Sequence, residues 1–179
     1  TNSAAHMIGY VGEISAGELK LEQYADLKGG DFIGKFGVEK SFETLLRGKR
    51  GGRQVEVNAN GQVANVLNTV AAQAGHNMTL TIDQRLQTIA EGLLRDKAAF
   101  VVAMDPNNGE VLAMASSPTY DPNWFVVGMT PDQWNSIITN PFRPLENKAI
   151  KAEYPPASTH KIVTSIAGLE EGVIDANTT

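Results

Sequence analysis

The chain has 179 residues, of which 42% are apolar and 20% charged, a composition typical of a folded protein with one sizeable domain or two small ones. Its net charge of −5 argues against a nucleic-acid-binding protein, which normally carries a basic face. The sequence contains no cysteine and only three scattered histidines, so neither a metal site nor a cofactor is expected.

The N-terminal third is predicted to mix helices and strands. An apolar run over residues 7–11 predicts a strand, and Ser15 with Glu18 has the capping-box pattern of a helix start. Apolar residues at helical spacing predict a packing helix over 38–46. Alternation of apolar and polar residues on both sides of Asn60-Gly61 then predicts a β-hairpin over 53–67.

Two features of this third suggest ligand binding at first sight. Residues 29–35 fit the GxxxxGK spacing of a phosphate loop. That motif needs Ser or Thr directly after it and a buried strand before it. Here the residue after it is Phe36, and the segment before it is polar. Nucleotide binding is therefore not predicted. A solvated turn is the preferred interpretation of a nearby basic cluster among glycines: Arg47, Lys49, Arg50 and Arg53.

The next segment has the pattern of a layered α/β unit. Residues 78–82 alternate as a strand, and Asp83 can cap a following helix whose apolar residues share one face. Residues 100–104 and 111–114 flank the turn Asp-Pro-Asn-Asn-Gly and predict a second hairpin, apolar enough to be covered on both faces. A helix over a buried hairpin indicates an α/β domain.

The C-terminal segment places a serine and a lysine at a helix start. Thr130-Pro131 predicts one more helix, with Trp134, Ile137 and Ile138 facing inward. Further on, Pro155-Pro156 disfavours helix and the apolar run 162–169 favours it.

Ser158 therefore lies near a helix N-terminus, with Lys161 on the same face at about 5–6 Å between Cβ atoms. The lysine amine can accept the serine proton only where burial and the positive helix end favour its neutral form. Exposed backbone N–H groups at the same turn can hold a developing oxyanion. Chance alone supplies about 0.4 Ser-x-x-Lys pairs in a chain of this composition, so the pair by itself is a weak signal for acyl-serine chemistry.

Several motifs in order along the chain resemble class B penicillin-binding proteins. Residues 34–39 and 45–49 resemble the GKxGxE and LxG elements of that family's non-catalytic module, and residues 74–83 resemble its entry into the transpeptidase domain. Residues 116–123 and 144–150 are most similar to the elongation-specific branch, the penicillin-binding protein 2 type. The Ser-x-x-Lys motif is itself a signature of penicillin-binding proteins and β-lactamases.

The resemblance implies a mixed α/β (α+β) fold in two parts. Residues 1–75 are expected to form the later part of a pedestal (dimerisation) module. Residues 76–179 are expected to form the first part of a transpeptidase domain, a sheet flanked by helices.

The same resemblance implies a peptidoglycan D,D-transpeptidase of cell elongation, with Ser158 as the acyl-accepting nucleophile and Lys161 as its base. Its substrates would be peptidoglycan stem peptides, and β-lactams would be trapped as acyl-enzymes. Expected protein partners are a SEDS-type glycosyltransferase and a rod-complex scaffold. The expected setting is the periplasmic face of the cell inner membrane, with a membrane anchor outside this soluble segment.

The chain departs from the family pattern near the serine and beyond it. Ala157 and His160 stand where the family usually has glycine and an apolar residue; we expect His160 to be a packing or exposed variation, because it points away from the face shared by Ser158 and Lys161. The family's SxN and KTG motifs do not occur in these 179 residues. The chain is therefore expected to be an internal fragment that does not acylate alone. Its bare apolar surface is expected to lead to dimerisation, packing against a partner chain or disorder near the C-terminus.

Alternatives remain open. A serine β-lactamase-like hydrolase also uses Ser-x-x-Lys, although the segment before residue 75 argues against it. A non-catalytic pedestal module that docks partner proteins is compatible with the main hypothesis. A division-specific paralogue is less consistent with the Pro-Leu-Glu-Asn-Lys-Ala and Tyr-Pro-Pro context.

Overall fold

The computed structural model describes residues 3–58, 60 and 62–178 and shows a mixed α/β fold. Within these residues, six strands form three antiparallel pairs, and most helices are short. The strands are β1 (Val11–Glu13), β2 (Phe32–Gly34), β3 (Gly52–Val57), β4 (Val63–Val70), β5 (Ala99–Met104) and β6 (Val111–Ser117). The helices are α1 (Ala5–Ile8), α2 (Gly37–Ser41), α3 (Glu43–Leu46), α4 (Gln84–Leu93), α5 (Trp124–Val127), α6 (Pro131–Ile138), α7 (Lys148–Lys151) and α8 (Lys161–Glu170), with 3-10 helices at Glu18–Lys20, Glu22–Tyr24 and Ala157–His160.

The N-terminal segment differs from its prediction. Residues 5–8 form α1 rather than a strand, because the Ala4 carbonyl accepts hydrogen bonds from the N–H groups of Met7 and Ile8 and the helix packs on a distant part of the chain. The Ser15–Glu18 capping box forms, with Ser15 N–H donating to Glu18 at 2.8 Å. It opens two 3-10 helices rather than one α-helix, since Leu21 between them is extended.

The rejection of the phosphate-loop reading agrees with the contacts of Lys35. Its ammonium lies 2.5 Å from the Glu18 carboxylate, an ion pair within the protein. The hydrogen bond from Lys35, together with that from Ser15, lowers the pKa of Glu18 to about 2. In the basic cluster, Arg50 pairs with the buried Asp31, so part of that positive charge is neutralised inside the fold.

The predicted packing helix over 38–46 is divided into α2 and α3. Phe42 joins them in a non-helical conformation (φ −117°, ψ 22°). The first predicted hairpin is confirmed, since β3 pairs with β4 from Gly52 opposite Val70 to Val57 opposite Val63. Ala59 and Gly61 of its predicted turn lie outside the described residues. Every residue of both strands is exposed, so this hairpin extends away from the core.

The helix α4 covers one face of the second hairpin. Ala90 and Leu94 pack against Ala115, with Ala99 and Val101 beside them. The opposite face was expected to be covered too, and this is wrong for the described residues: Phe100, Val102 and Met104 on that face are exposed.

The start of α4 is as predicted, because the Asp83 carboxylate accepts hydrogen bonds from the N–H groups of Arg85 and Leu86. The strand predicted at 78–82 does not form. That segment touches β6 through Thr81 and Asp83, which donate to the carbonyls of Val111 and Leu112, and these two bonds do not make a ladder.

A buried amide ties α4 to the edge of β6. Gln87 is 1% exposed, and its Oε1 accepts from the Met114 N–H at 2.8 Å while its Nε2 donates to the Met114 carbonyl at 3.0 Å. The Gln87 side chain thus makes the two backbone hydrogen bonds that a neighbouring strand would otherwise make with Met114. The same Nε2 donates to Glu91 at 2.7 Å, so both protons of the amide nitrogen are used.

The N-terminal segment meets residues 120–145 in a buried junction. Ala5, Tyr120 and Ile137 form its apolar centre, and Tyr10 stacks on Phe125 with ring centroids 3.8 Å apart. The helix predicted at Thr130-Pro131 is α6, and Thr130 and Gln133 form a capping box at its start. Ile137 faces inward as expected, whereas Trp134 and Ile138 do not, being about half exposed.

No helix among the residues that the structure describes is long and apolar enough to span a bilayer.

Replacing Gln87 by leucine should lower the free energy of unfolding by about 2–4 kcal/mol, because the N–H and carbonyl of Met114 would both lose their partner in a buried place. Urea unfolding followed by circular dichroism measures this. The matched control is Gln84→Leu on the exposed first turn of α4, which should change stability by less than about 0.5 kcal/mol. Equal effects of the two substitutions would contradict this role for Gln87.

Candidate active site

The candidate nucleophile lies where an irregular, proline-rich segment becomes a helix. Residues Ala157–His160 form one 3-10 turn that continues into α8, so Ser158 is at a helix start as predicted. Ala157, immediately before the serine, has a φ of +46°. That is the left-handed region, which costs a residue with a Cβ atom about 1–2 kcal/mol. A glycine at this position would adopt it without that cost.

The helix start places Ser158 and Lys161 on one face. The Lys161 N–H donates to the Ser158 carbonyl, closing a 3-10 turn, and side chains three residues apart in such a turn lie above one another. Both residues are exposed. Among the described residues, neither side chain makes a hydrogen bond or an ion pair, so both are available to a ligand.

The backbone near the serine offers a donor for an oxyanion. The Thr159 N–H donates to the Pro156 carbonyl at 3.2 Å, whereas the Ser158 N–H has no backbone acceptor within the part of the chain that is described. N–H groups in the first turn of a helix lack intrahelical partners and favour negative charge. The Ser158 N–H is thus one suitable donor for a tetrahedral intermediate.

His160 is exposed, in agreement with its interpretation as a variation outside the shared face. Its Nδ1 lies 3.2 Å from the Thr164 hydroxyl, and that hydroxyl donates its proton to the His160 carbonyl. Because a hydroxyl has only one proton to donate, Nδ1 is the donor in the first contact. The imidazole therefore serves to anchor the first turn of α8.

The helix that carries the site has no buried residue, and four of its apolar side chains are at least half exposed. They recur at helical spacing: Ile162, Val163, Ile166 and Leu169. Together they form an apolar surface along the helix that carries the candidate site. A surface of this kind is typical of an interaction site rather than of solvent contact.

Sequence reasoning did not identify the polar residues of the junction. Asn147 is 1% exposed; its Nδ2 donates to the His6 carbonyl at 3.4 Å and its Oδ1 accepts from the Ala149 N–H. It thereby caps α7, the last helix before the site. The signal available in the sequence was Asn147 directly before the short run Lys-Ala-Ile-Lys, a helix-cap pattern.

Comparisons with known proteins match the chain in two adjoining parts. Residues 1–80 match the family model described as penicillin-binding protein dimerisation domain, and residues 99–179 match the penicillin-binding protein transpeptidase domain. The chain belongs to the penicillin-binding proteins.

Curated relatives align along nearly the whole chain. The peptidoglycan D,D-transpeptidase MrdA of Escherichia coli K12 is 41% identical over 185 residues, which is 99% of this chain and 29% of that protein. The MrdA of Acinetobacter baumannii is 40% identical over 171 residues, 96% of this chain and 25% of that protein. The chain thus spans under a third of the curated relatives it matches.

A solved structure shows the same fold. The complex between penicillin-binding protein 2 and MreC from Helicobacter pylori matches with a TM-score of 0.82 and 35% identity, over 99% of this chain and 33% of that one. The likeness to the penicillin-binding protein 2 type, inferred from the motifs, is confirmed by these matches.

Replacing Ala157 by glycine should stabilise the chain by about 0.5–1 kcal/mol, because relief of the left-handed strain exceeds the entropy that glycine loses on folding. Thermal unfolding measures the change. Ala167→Gly inside α8 is the matched control and should destabilise by about 0.5–1 kcal/mol. If both substitutions destabilise equally, residue 157 does not have the strained backbone described here.

Proposed function

We propose that the protein containing this chain is a peptidoglycan D,D-transpeptidase of cell elongation, with Ser158 as nucleophile and Lys161 as base. The observation that carries the proposal is the placement of Ser158 and Lys161 on one face of a helix start, inside a match to the transpeptidase domain. Curated relatives that align along nearly the whole chain are named peptidoglycan D,D-transpeptidases, which supports the reaction type.

In the proposed first step, Ser158 Oγ attacks the carbonyl carbon of the penultimate D-Ala of a stem peptide. Its proton passes to the Lys161 amine, and the oxyanion accepts a hydrogen bond from the Ser158 N–H. When the C–N bond breaks, the proton goes to the departing terminal D-Ala, leaving an ester on Ser158. An amine of a neighbouring stem then attacks the ester, forms the cross-link and returns a proton to Ser158.

The same first step explains trapping of β-lactams. Attack on the lactam carbonyl breaks a ring C–N bond, so the leaving amine stays attached to the acyl group. It continues to occupy the site from which the second amine would attack. Covalent labelling by penicillins is therefore expected wherever the transpeptidase step occurs.

To act as the base, Lys161 needs an environment with less water than in this chain, where its side chain is exposed. Lysine amines become neutral near pH 7 only in apolar or positively charged surroundings. Covering the exposed apolar side chains of α8, the helix that carries the site, would supply such surroundings. We propose that the active form buries these side chains.

We propose that the two parts of the chain have different roles. Residues 1–75 would belong to the pedestal module and residues 76–179 to the transpeptidase domain. A relative of the penicillin-binding protein 2 type forms a complex with MreC, which supports a rod-complex scaffold as a partner of this protein too. A SEDS-type glycosyltransferase and a location at the periplasmic face of the inner membrane complete the proposal.

Partner docking by the pedestal is a second function for the same chain, compatible with catalysis, and the MreC complex of the relative favours it. A β-lactamase-like hydrolase is less consistent with the match of residues 1–80 to a penicillin-binding protein dimerisation domain.

A chimera tests the proposed nucleophile. This chain replaces the matched segment of E. coli MrdA, and the purified chimera is incubated with a fluorescent penicillin. We expect stoichiometric labelling that Ser158→Ala abolishes and that Ser165→Ala, in the middle of α8, leaves within about twofold of the unsubstituted chimera. Labelling that survives Ser158→Ala would refute the assignment.

The 179-residue chain alone provides a second test. Because it contains neither an SxN nor a KTG motif, we expect it not to be labelled under conditions in which the chimera is labelled. Stoichiometric labelling of the chain alone, dependent on Ser158, would show that these motifs are not needed for acylation.

A further inference from the structure

A buried histidine lies at the junction between the N-terminal segment and the rest of the chain. His6, on α1, is 4% exposed and lies 138 residues away from its hydrogen-bond partner, Pro144. Its Nε2 is 2.6 Å from the Pro144 carbonyl oxygen. Since a carbonyl can only accept, Nε2 carries the proton, and the neutral ring satisfies this contact completely.

The same junction is closed by further polar contacts on both sides of His6. The Tyr120 hydroxyl donates to the Ala5 carbonyl at 3.3 Å, and Asn147 donates to the His6 carbonyl at 3.4 Å. The Tyr120 ring meets the His6 ring edge-on at 5.2 Å between centroids. Glu91 accepts from the Ala4 N–H at 2.6 Å. Residues 4–6 are therefore held by several polar contacts to distant parts of the chain.

Two charged residues near His6 shift its pKa in opposite directions. Lys148 on α7 faces it with a positive charge, and Glu91 on α4 faces it with a negative one. Tyr120 is the titratable group in direct contact, and burial raises the pKa of its phenol to about 12, so it stays neutral. The segment of β6 beside the junction carries no charged residue, and α2, which also packs on α1, carries Glu39 and Lys40.

We propose that His6 is a pH-sensitive latch, which holds the N-terminal segment 4–10 against residues 114–148 at neutral pH and releases it on acidification. A second proton on the ring would place a positive charge in a buried site next to Lys148. Withdrawal of α1 from the junction lets water solvate that charge. Acid therefore favours the open junction.

The direction follows from linkage between protonation and opening. Burial, the largest cause, and Lys148 lower the pKa of His6 from its ordinary value of 6.5, while the Pro144 carbonyl and Glu91 oppose this shift. The open junction, with a solvated His6, therefore binds a proton more readily than the closed one. The stabilisation of the closed form is complete above pH 6.5 and is lost as the pH falls below that value toward the lowered pKa.

Two NMR measurements on the 179-residue chain test the latch. The first follows the ring signals of His6 through a pH titration, with His76 and His160 as exposed references in the same spectra. The second measures hydrogen-exchange protection of the Gly9 amide, which donates to Ala5 in α1, relative to the Trp134 amide of α6, at pH 7.5 and 5.5. When the pH is lowered from 7.5 to 5.5, the protection factor of Gly9, corrected for intrinsic exchange, should fall about threefold or more relative to that of Trp134.

Two variants separate the latch from general acid sensitivity. His6→Gln keeps an N–H donor for the Pro144 carbonyl without a titrating group, so the relative fall in protection should disappear. Lys148→Met removes the facing charge and should make the fall smaller. His6 titrating at or above 6.5, an equal fall at Gly9 and Trp134, or an undiminished fall in either variant would overturn the proposal.

Discussion

The structure depends on one set of buried polar contacts. Through these contacts, Asn147 and His6 connect the start of the chain to the segment that leads into the candidate site. The amide of Asn147 serves two elements at once, because it caps α7 and donates to the backbone of α1. A buried backbone carbonyl without such a donor would destabilise the fold. The junction thus holds the start of α7, the last helix before Ser158, against the N-terminal segment.

The backbone of the candidate site is well defined, but the side chains around it are exposed. The 3-10 turn at Ala157–His160 brings Ser158 and Lys161 to one face, and among the described residues the Ser158 N–H has no backbone acceptor and can serve an oxyanion. The same helix exposes a continuous row of apolar side chains. Geometry for nucleophilic attack is therefore encoded locally, whereas the dry environment that a lysine base requires depends on whatever covers this surface.

Features encoded within a few residues were predictable from the sequence. The Asp83 cap, the Thr130 capping box, both hairpins and the position of Ser158 follow from local patterns, and the structure shows them. The strand predicted at 7–11 was wrong because contacts with Tyr120 and Pro144 favour α1 there. Trp134 and Ile138 are exposed although their spacing predicted burial, since spacing defines a face of a helix and not what packs on it. The His6–Pro144 contact joins residues too distant for any local pattern to reveal.

The central claim is that the hydroxyl of Ser158 becomes acylated, and peptide mapping tests it most directly. The chimera with E. coli MrdA is reacted with benzylpenicillin, digested with trypsin and analysed by mass spectrometry. The account predicts the penicilloyl mass on the peptide of residues 152–161, which contains Ser158 as well as Thr159, with fragmentation placing it on Ser158. An adduct on another residue, or an unmodified 152–161 peptide from fully labelled protein, would contradict the account.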